Sequence, residues 1–360
     1  MNADATASIP QAAGELRPEG PPDRAELRPV LIAGPDRSGT TLMFALLASH
    51  PHLSMVRRTN VWRYFDQRYG DLADDTNLDA CLGDMLRYRR MRHLRPDGAR
   101  IRREFLDGEP TYGRLFALFH LHHAERAGKR RWGDKSLHTE HYAERVFAEY
   151  PEARIVHMVR DPRDRYASVR KRHGRDVPRV GASTGRWLRS TRAARRNQRR
   201  HPDRYLIVRY EDLAREPETT MRRVCAFIDE PFASSMLAMD GAPDHRDGGG
   251  NSSFGDLEPG TISTKAIGRF SSVLTGSELR FIQLVTRPES GALRYDPVEV
   301  ETGAGGRVRF FAWDLPYQYM RMLSWSAWAR VDLWRGSRRP PSRFADRPID
   351  AVDEEGSRDA

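Results

Sequence analysis

The stretch VLIAGPDRSGTTLMFALLASHP, Val30 to Pro51, decides how this chain is read. A short apolar run from Val30 to Ala33 is followed by a turn bounded by Gly34 and Gly39, and then by an apolar segment of helical length. Such a run suits a strand covered on both faces, and the two glycines suit backbone that comes close to a ligand. The spacing is that of a phosphate loop, yet Thr40 stands where a nucleoside triphosphatase has its lysine. Backbone N–H groups around Ser38, Gly39, Thr40 and Thr41 remain suited to an anion at a helix N-terminus, and Arg37 supplies a cation inside the loop.

Two further runs, RIVHMV from Arg154 and YLIVRY from Tyr205, have the same character. Each leads into a helix start with proline in its first turn, DPRDRYASVRKR at Pro162 and EPETTMRRVCAFI at Pro217. Alternating strands and helices predict an α/β fold, a doubly wound parallel sheet flanked by helices. Between the first two runs, GRLFALFHLHHAERAG and HTEHYAERVFAEY read as covering helices. GAPDHRDGGGNSSFGDLEPGTISTKAIGRF reads as a long loop able to act as a lid. Asp161, just past the second run, is the best-placed acid for a magnesium ion if the chain were a triphosphatase or kinase.

Taken together, GPDRSGTTLMFALLASHP and IVHMVRDPRDRYASV resemble the two donor-binding motifs of sulfotransferases, most closely the bacterial and tyrosylprotein-type branch. The intervening RWGDKSLHTEHYAERVF and the later VRYEDL and STKAIGRF are also similar to segments of that branch, so the resemblance runs from about Val30 to Val285. It implies a sulfotransferase fold and 3′-phosphoadenosine 5′-phosphosulfate as sulfonate donor, with no metal. The first loop, Arg37 to Thr41, would take the 5′-phosphosulfate. Arg160, Ser168 and Tyr210 would take the 3′-phosphate, and Lys265, Gly268 and Arg269 would close over the nucleotide. Arg37 and Lys135 are the candidates for stabilising charge on the transferring group.

In the tyrosylprotein-type enzymes an acid soon after the His-Pro pair removes the acceptor proton, but here Arg57 and Arg58 occupy those places. The arginine pair suggests an anionic acceptor. His138 leads the alternative bases because histidine titrates nearest neutrality, ahead of Glu109, Asp134 and His141. The acceptor is expected to carry a hydroxyl, on a glycan, lipid, small metabolite or peptide tyrosine. The competing readings are a P-loop kinase using ATP and magnesium, and an inactive nucleotide- or membrane-binding module.

Among 360 residues, 60 Lys and Arg face 50 Asp and Glu, for a formal charge of +10 that favours anionic partners. The arginine-rich GRWLRSTRAARRNQRRHPDRY has no interleaved aromatics, so it reads as a covering helix with Trp187 and Leu188 inward and not as a nucleic-acid site. Two distant cysteines, Cys81 and Cys225, and the lack of a signal-peptide pattern or a long apolar run lead to an expectation of a cytoplasmic protein. The expected layout is a disordered leader at 1–28, a sulfotransferase domain at 29–298, an aromatic and basic helical extension at 299–340 and a flexible tail at 341–360. The extension, interrupted by Pro316, reads as docking on the domain or on a second copy, with peripheral membrane contact as the alternative.

Overall fold

The computed structural model describes residues 27–136, 138–173, 179–247, 260–301 and 303–336. Among the described residues five strands form one parallel sheet: β1 (Val30–Ala33), β2 (Leu53–Arg57), β3 (Arg131–Lys135), β4 (Arg154–Val159) and β5 (Tyr205–Arg209). Their order is β2-β3-β1-β4-β5. The chain winds outward from β1 in one direction, returns beside it as β3, and then crosses to β4 and β5. The switch therefore falls at β1, where the carboxyl ends of β3, β1 and β4 open a crevice, as doubly wound sheets do where they bind ligands.

Strand alternation divides the core. Val30 and Ile32 pack with Met43, Leu46, Met55, Val156 and Met158, while Leu31 and Ala33 face Phe65, Phe105, Phe116 and Trp132. Helix α1 (Thr40–Ala48) is buried almost all round, which is why its apolar run shows no polar face in sequence. It ends on His50, fully buried, whose Nε2 lies 2.9 Å from the Pro231 carbonyl and whose Nδ1 accepts from the His52 backbone at 3.1 Å.

The three expected strands match β1, β4 and β5, but β2 and β3 had no clear signal. β3 reads Arg-Trp-Gly-Asp-Lys and is nonetheless buried along most of its length. Arg131 is satisfied by the carbonyl of Ile228 and the carboxylate of Glu230, and Asp134 accepts from Thr59 Oγ1 at 2.6 Å. At Gly133 a Cβ would come within 2.4 Å of both the Val30 carbonyl oxygen and Met55 Sδ, so this strand needs a glycine to lie against its neighbours. The expected single helix HTEHYAERVFAEY divides into a 3₁₀ turn, Thr139–His141, and a helix, Ala143–Glu149. The expected long loop contains a short helix, Pro243–Asp247, and residues 248–259 of it lie outside the described residues.

The arginine-rich segment is a helix, Val180–Arg200, with Trp187 and Leu188 buried as expected. Its Gly181 and Gly185, one turn apart, admit the C-terminal helix Leu315–Gly336: a Cβ at Gly181 would lie 2.1 Å from the Gln318 carbonyl oxygen, and one at Gly185 would lie 2.9 Å from Met322. Pro316 does not interrupt this segment. It falls in the first turn of the helix, directly after a π-helical turn at Phe310–Asp314, where a missing N–H is tolerated. Residues 1–26 and 337–360, nearly all of the expected leader and the whole expected tail, lie outside the described residues.

Candidate active site

The turn after β1 is held in a conformation few residues accept. Gly34, Arg37 and Gly39 have φ of 125°, 63° and 89°. A side chain at Gly34 would strike the Met158 carbonyl oxygen at 2.3 Å, and one at Gly39 would strike the Tyr210 ring at 2.6 Å. The turn thus brings successive N–H groups to the N-terminus of α1, which has no side-chain cap among the described residues. Within it Ser38 is fully buried, and its Oγ has no hydrogen-bond partner among the described residues. A buried hydroxyl without a partner beside an uncapped helix start fits an anion.

Asp36 pins this turn from behind. The buried Arg165 donates Nε to the Asp36 carbonyl at 2.9 Å and Nη1 to Ser183 Oγ at 2.9 Å, and its Nη2 meets the Asp36 carboxylate at 2.5 Å. Burial alone would raise the Asp36 carboxyl, but the Arg165 and Arg186 guanidiniums hold it well below the usual range. Neither Asp36 nor Arg165 stood out in sequence. The available signal was the density of charge in DPRDR directly after a buried strand, where solvated side chains are not expected.

The second group gathers at the end of β4. Arg37 Nε donates to Ser168 Oγ at 2.9 Å, joining the first turn to the helix Pro162–His173. Arg160 donates to the carbonyl of Arg37 at 3.2 Å and to that of Ala266 at 2.6 Å, while its guanidinium stacks over the Tyr210 ring at 4.6 Å. Its own carbonyl accepts from Trp187 Nε1 at 2.8 Å, and its buried Nε has no hydrogen-bond partner among the described residues. The neighbouring charges separate by role. Arg163 grips Asp161 at 2.6 Å in a buried ion pair, which leaves Asp161 poorly placed to bind magnesium.

The third group is the segment after Gly260. Both carboxylate oxygens of Asp164 accept backbone N–H groups, from Gly268 at 2.7 Å and Phe270 at 2.9 Å. Gly268 has φ of 75°, and the exposed Arg269 folds back to the Lys265 carbonyl at 2.7 Å. Lys265, Gly268 and Arg269 are thus brought to the rim beside Arg160, with Ala266 as the direct link.

On the other side of β1, Lys135 ends β3 with Nζ 3.5 Å from Thr41 Oγ1, and Arg57 is its register partner on β2. Arg57 reaches Asp244 at 3.4 Å, and Arg58 donates its backbone N–H to the Lys135 carbonyl at 2.8 Å. Next to Asp244 is His245, which sequence reasoning passed over. Burial, Arg57 and Lys135 all lower its imidazole below the usual histidine range. The expected bases sit differently. Asp134 is buried beneath Thr59 and Ser136, pushed up by burial. His138 has φ of 64°, and burial together with Arg63 and Arg186 lowers it to about 3, so it is a weak base. Glu109 is exposed, outside these contacts. His138, Glu140 and His141 bring possible ligand atoms within 4.8 Å of one another, but Arg63 and Arg186 act on the first histidine and Arg189 and Arg196 on the second, a field that opposes a cation.

A glycine-framed anion turn, a second basic pocket at the next strand end and a basic rim therefore meet at one crevice. Residues 29–234 match the model of the sulfotransferase family. The chain belongs to the sulfotransferase family. This sulfotransferase is 27% identical over 220 residues to a protein-tyrosine sulfotransferase of Drosophila melanogaster, an alignment covering 59% of the chain and 40% of that relative's length. Its fold is similar to the sulfotransferase domain of the Synechococcus PCC 7002 olefin synthase, with a TM-score of 0.53 and 22% identity over 74% of this chain and 94% of that one.

Proposed function

We propose that this sulfotransferase takes its sulfonate from 3′-phosphoadenosine 5′-phosphosulfate and passes it to a hydroxyl, or less readily an amine, of its acceptor. The observation that carries the reading is the joining of two anion pockets through Arg37, which donates to Ser168 while its carbonyl accepts from Arg160. A donor with phosphates at both 5′ and 3′ positions needs two such pockets, and a nucleoside triphosphate does not. The turn N–H groups, Ser38, Thr40 and Thr41 hold the 5′ end. Arg160, Ser168 and Tyr210 hold the 3′-phosphate, and Lys265, Gly268 and Arg269 cover it. The bound donor supplies an activated sulfonate; Arg37 and Lys135 counter the charge that develops around it.

The acceptor side is bounded by Arg57, Lys135 and His245. His245 is our choice for the acceptor proton over His138, because Arg57 and Lys135 both act on its imidazole, whereas His138 feels Arg63 and Arg186 instead. The acceptor hydroxyl is that of a glycan, lipid, small metabolite or peptide tyrosine. We place the activity in the cytoplasm, a reducing compartment that suits the two buried, unpaired cysteines.

Calorimetric titration with 3′-phosphoadenosine 5′-phosphate in the absence of magnesium tests the donor assignment. Tight binding is expected, weakened about ten- to a hundredfold by Arg160→Ala, since a hydrogen bond to a charged group is worth about 1.5–3 kcal/mol. Tighter binding of ATP that requires magnesium would instead favour a kinase. His245→Ala is expected to lower kcat with little change in donor affinity; a comparable loss from His138→Ala alone would transfer the proton-accepting role.

A further inference from the structure

The helical segment running from a short helix, Ala304–Arg309, through the π-helical turn into the C-terminal helix has two apolar faces, and the domain covers only one. Phe310, Met322, Trp325 and Ala329 are buried against the body of the protein. Phe311, Trp313, Tyr317, Met320, Leu323 and Val331 are exposed, Trp313 by 75% and Met320 by 63%. Trp313, Tyr317 and Met320 follow a helical repeat and cluster over about 10 Å at 1.5 Å per residue; Tyr317 also meets Arg179, and Val331 lies on the same stripe about three turns on. A row of this kind on a protein surface marks an interaction face.

Charge identifies the occupant. Between Ala304 and Arg343 the sequence has eight arginines and two aspartates. Both aspartates are engaged, Asp314 by Ser277 Oγ at 2.7 Å and Asp332 by Arg63 at 3.0 Å. Arg307, Arg309 and Arg330 are exposed beside the stripe and have no ion pair among the described residues. A second copy packed face to face here would bring the same exposed arginines together, while the two aspartates of this segment are already engaged. An acidic bilayer surface meets both features, taking the aromatic and aliphatic side chains into the headgroup boundary and the arginines onto its phosphates. No described helix is long and apolar enough to cross a membrane, so the contact would lie in the plane of the surface.

We propose that the exposed face of the C-terminal helix docks this enzyme on anionic membrane surfaces. The test is co-sedimentation of the full chain with phosphatidylcholine vesicles containing about 30 mol% phosphatidylglycerol, against vesicles of phosphatidylcholine alone. Binding is expected to the acidic vesicles only and to weaken with salt. Trp313→Ser with Met320→Ser, and separately Arg307→Glu with Arg309→Glu, should each reduce it about tenfold with an unchanged thermal melt, because all four side chains are at the surface. Equal sedimentation of either double variant and the parent would overturn the proposal, as would failure of the parent to bind. A dimer in light scattering that the Trp313→Ser, Met320→Ser chain loses, without vesicle binding by the parent, would assign the face to a second copy.

Discussion

At the scale of single residues, this site depends on a few positions whose backbone leaves no choice of side chain. Gly39 combines φ of 89° with a ring 2.6 Å from where a Cβ would stand. Gly39→Ala is expected to cost about 1–3 kcal/mol of stability and to abolish binding of 3′-phosphoadenosine 5′-phosphate, read by denaturant unfolding and calorimetry. Full-strength binding by that variant would mean that the turn is not the anion cradle. Both glycines and Arg37 were legible from phosphate-loop spacing after a recognisable strand, and Arg160 and Ser168 from the resemblance to a sulfotransferase motif at the end of the second strand. Arg165 and His245 were not. Arg165 acquires its role only by meeting Asp36 from another segment, and His245 by lying near Arg57 and Lys135.

At the scale of elements, the rim after Gly260 is placed by one carboxylate. Asp164 accepts from Gly268 and Phe270, while Arg160 holds Ala266, so the helix after β4 carries the rim. In Asp164→Asn the side-chain amide turns a donor towards one of those N–H groups. The expected result is about tenfold weaker binding of 3′-phosphoadenosine 5′-phosphate and faster proteolysis between 260 and 270. Unchanged proteolysis would show that Asp164 does not hold this segment. Strands β1, β4 and β5 could be read in advance because burial on both faces made them continuous apolar runs. β3 could not, since the charges of Arg131 and Asp134 are satisfied by partners distant in sequence, and β2, Leu-Ser-Met-Val-Arg, is not a continuous apolar run. Docking of the C-terminal helix likewise depends on Gly181 and Gly185, whose spacing carries no meaning until a second helix lies across it.

At the scale of the whole molecule, several histidines are buried in neutral form, and this sets an acid limit. His157 is fully buried, with Nδ1 2.9 Å from the Tyr205 hydroxyl, and burial lowers it to about 4. In the unfolded chain it takes up a proton near its ordinary value of about 6.5. Between those values the unfolded state binds more protons, so stability is complete above about pH 6.5 and falls by about 1.4 kcal/mol per pH unit per such group as the pH drops towards 4. Urea midpoints at about pH 7.5 and 5.5 should show this loss, and His157→Gln should reduce it. Midpoints that do not change with pH would mean that these imidazoles are not buried neutral. By itself the sequence determined the α/β class, the glycine-framed turn after β1 and the resemblance to sulfotransferases, because strand burial, glycine geometry and short motifs are local properties of the chain. Only the tertiary structure decided which charges are structural and which face the crevice, which histidine lies beside Lys135, and which half of the aromatic helix stays exposed. Those depend on contacts between segments far apart in sequence, and neither spacing nor composition specifies such contacts.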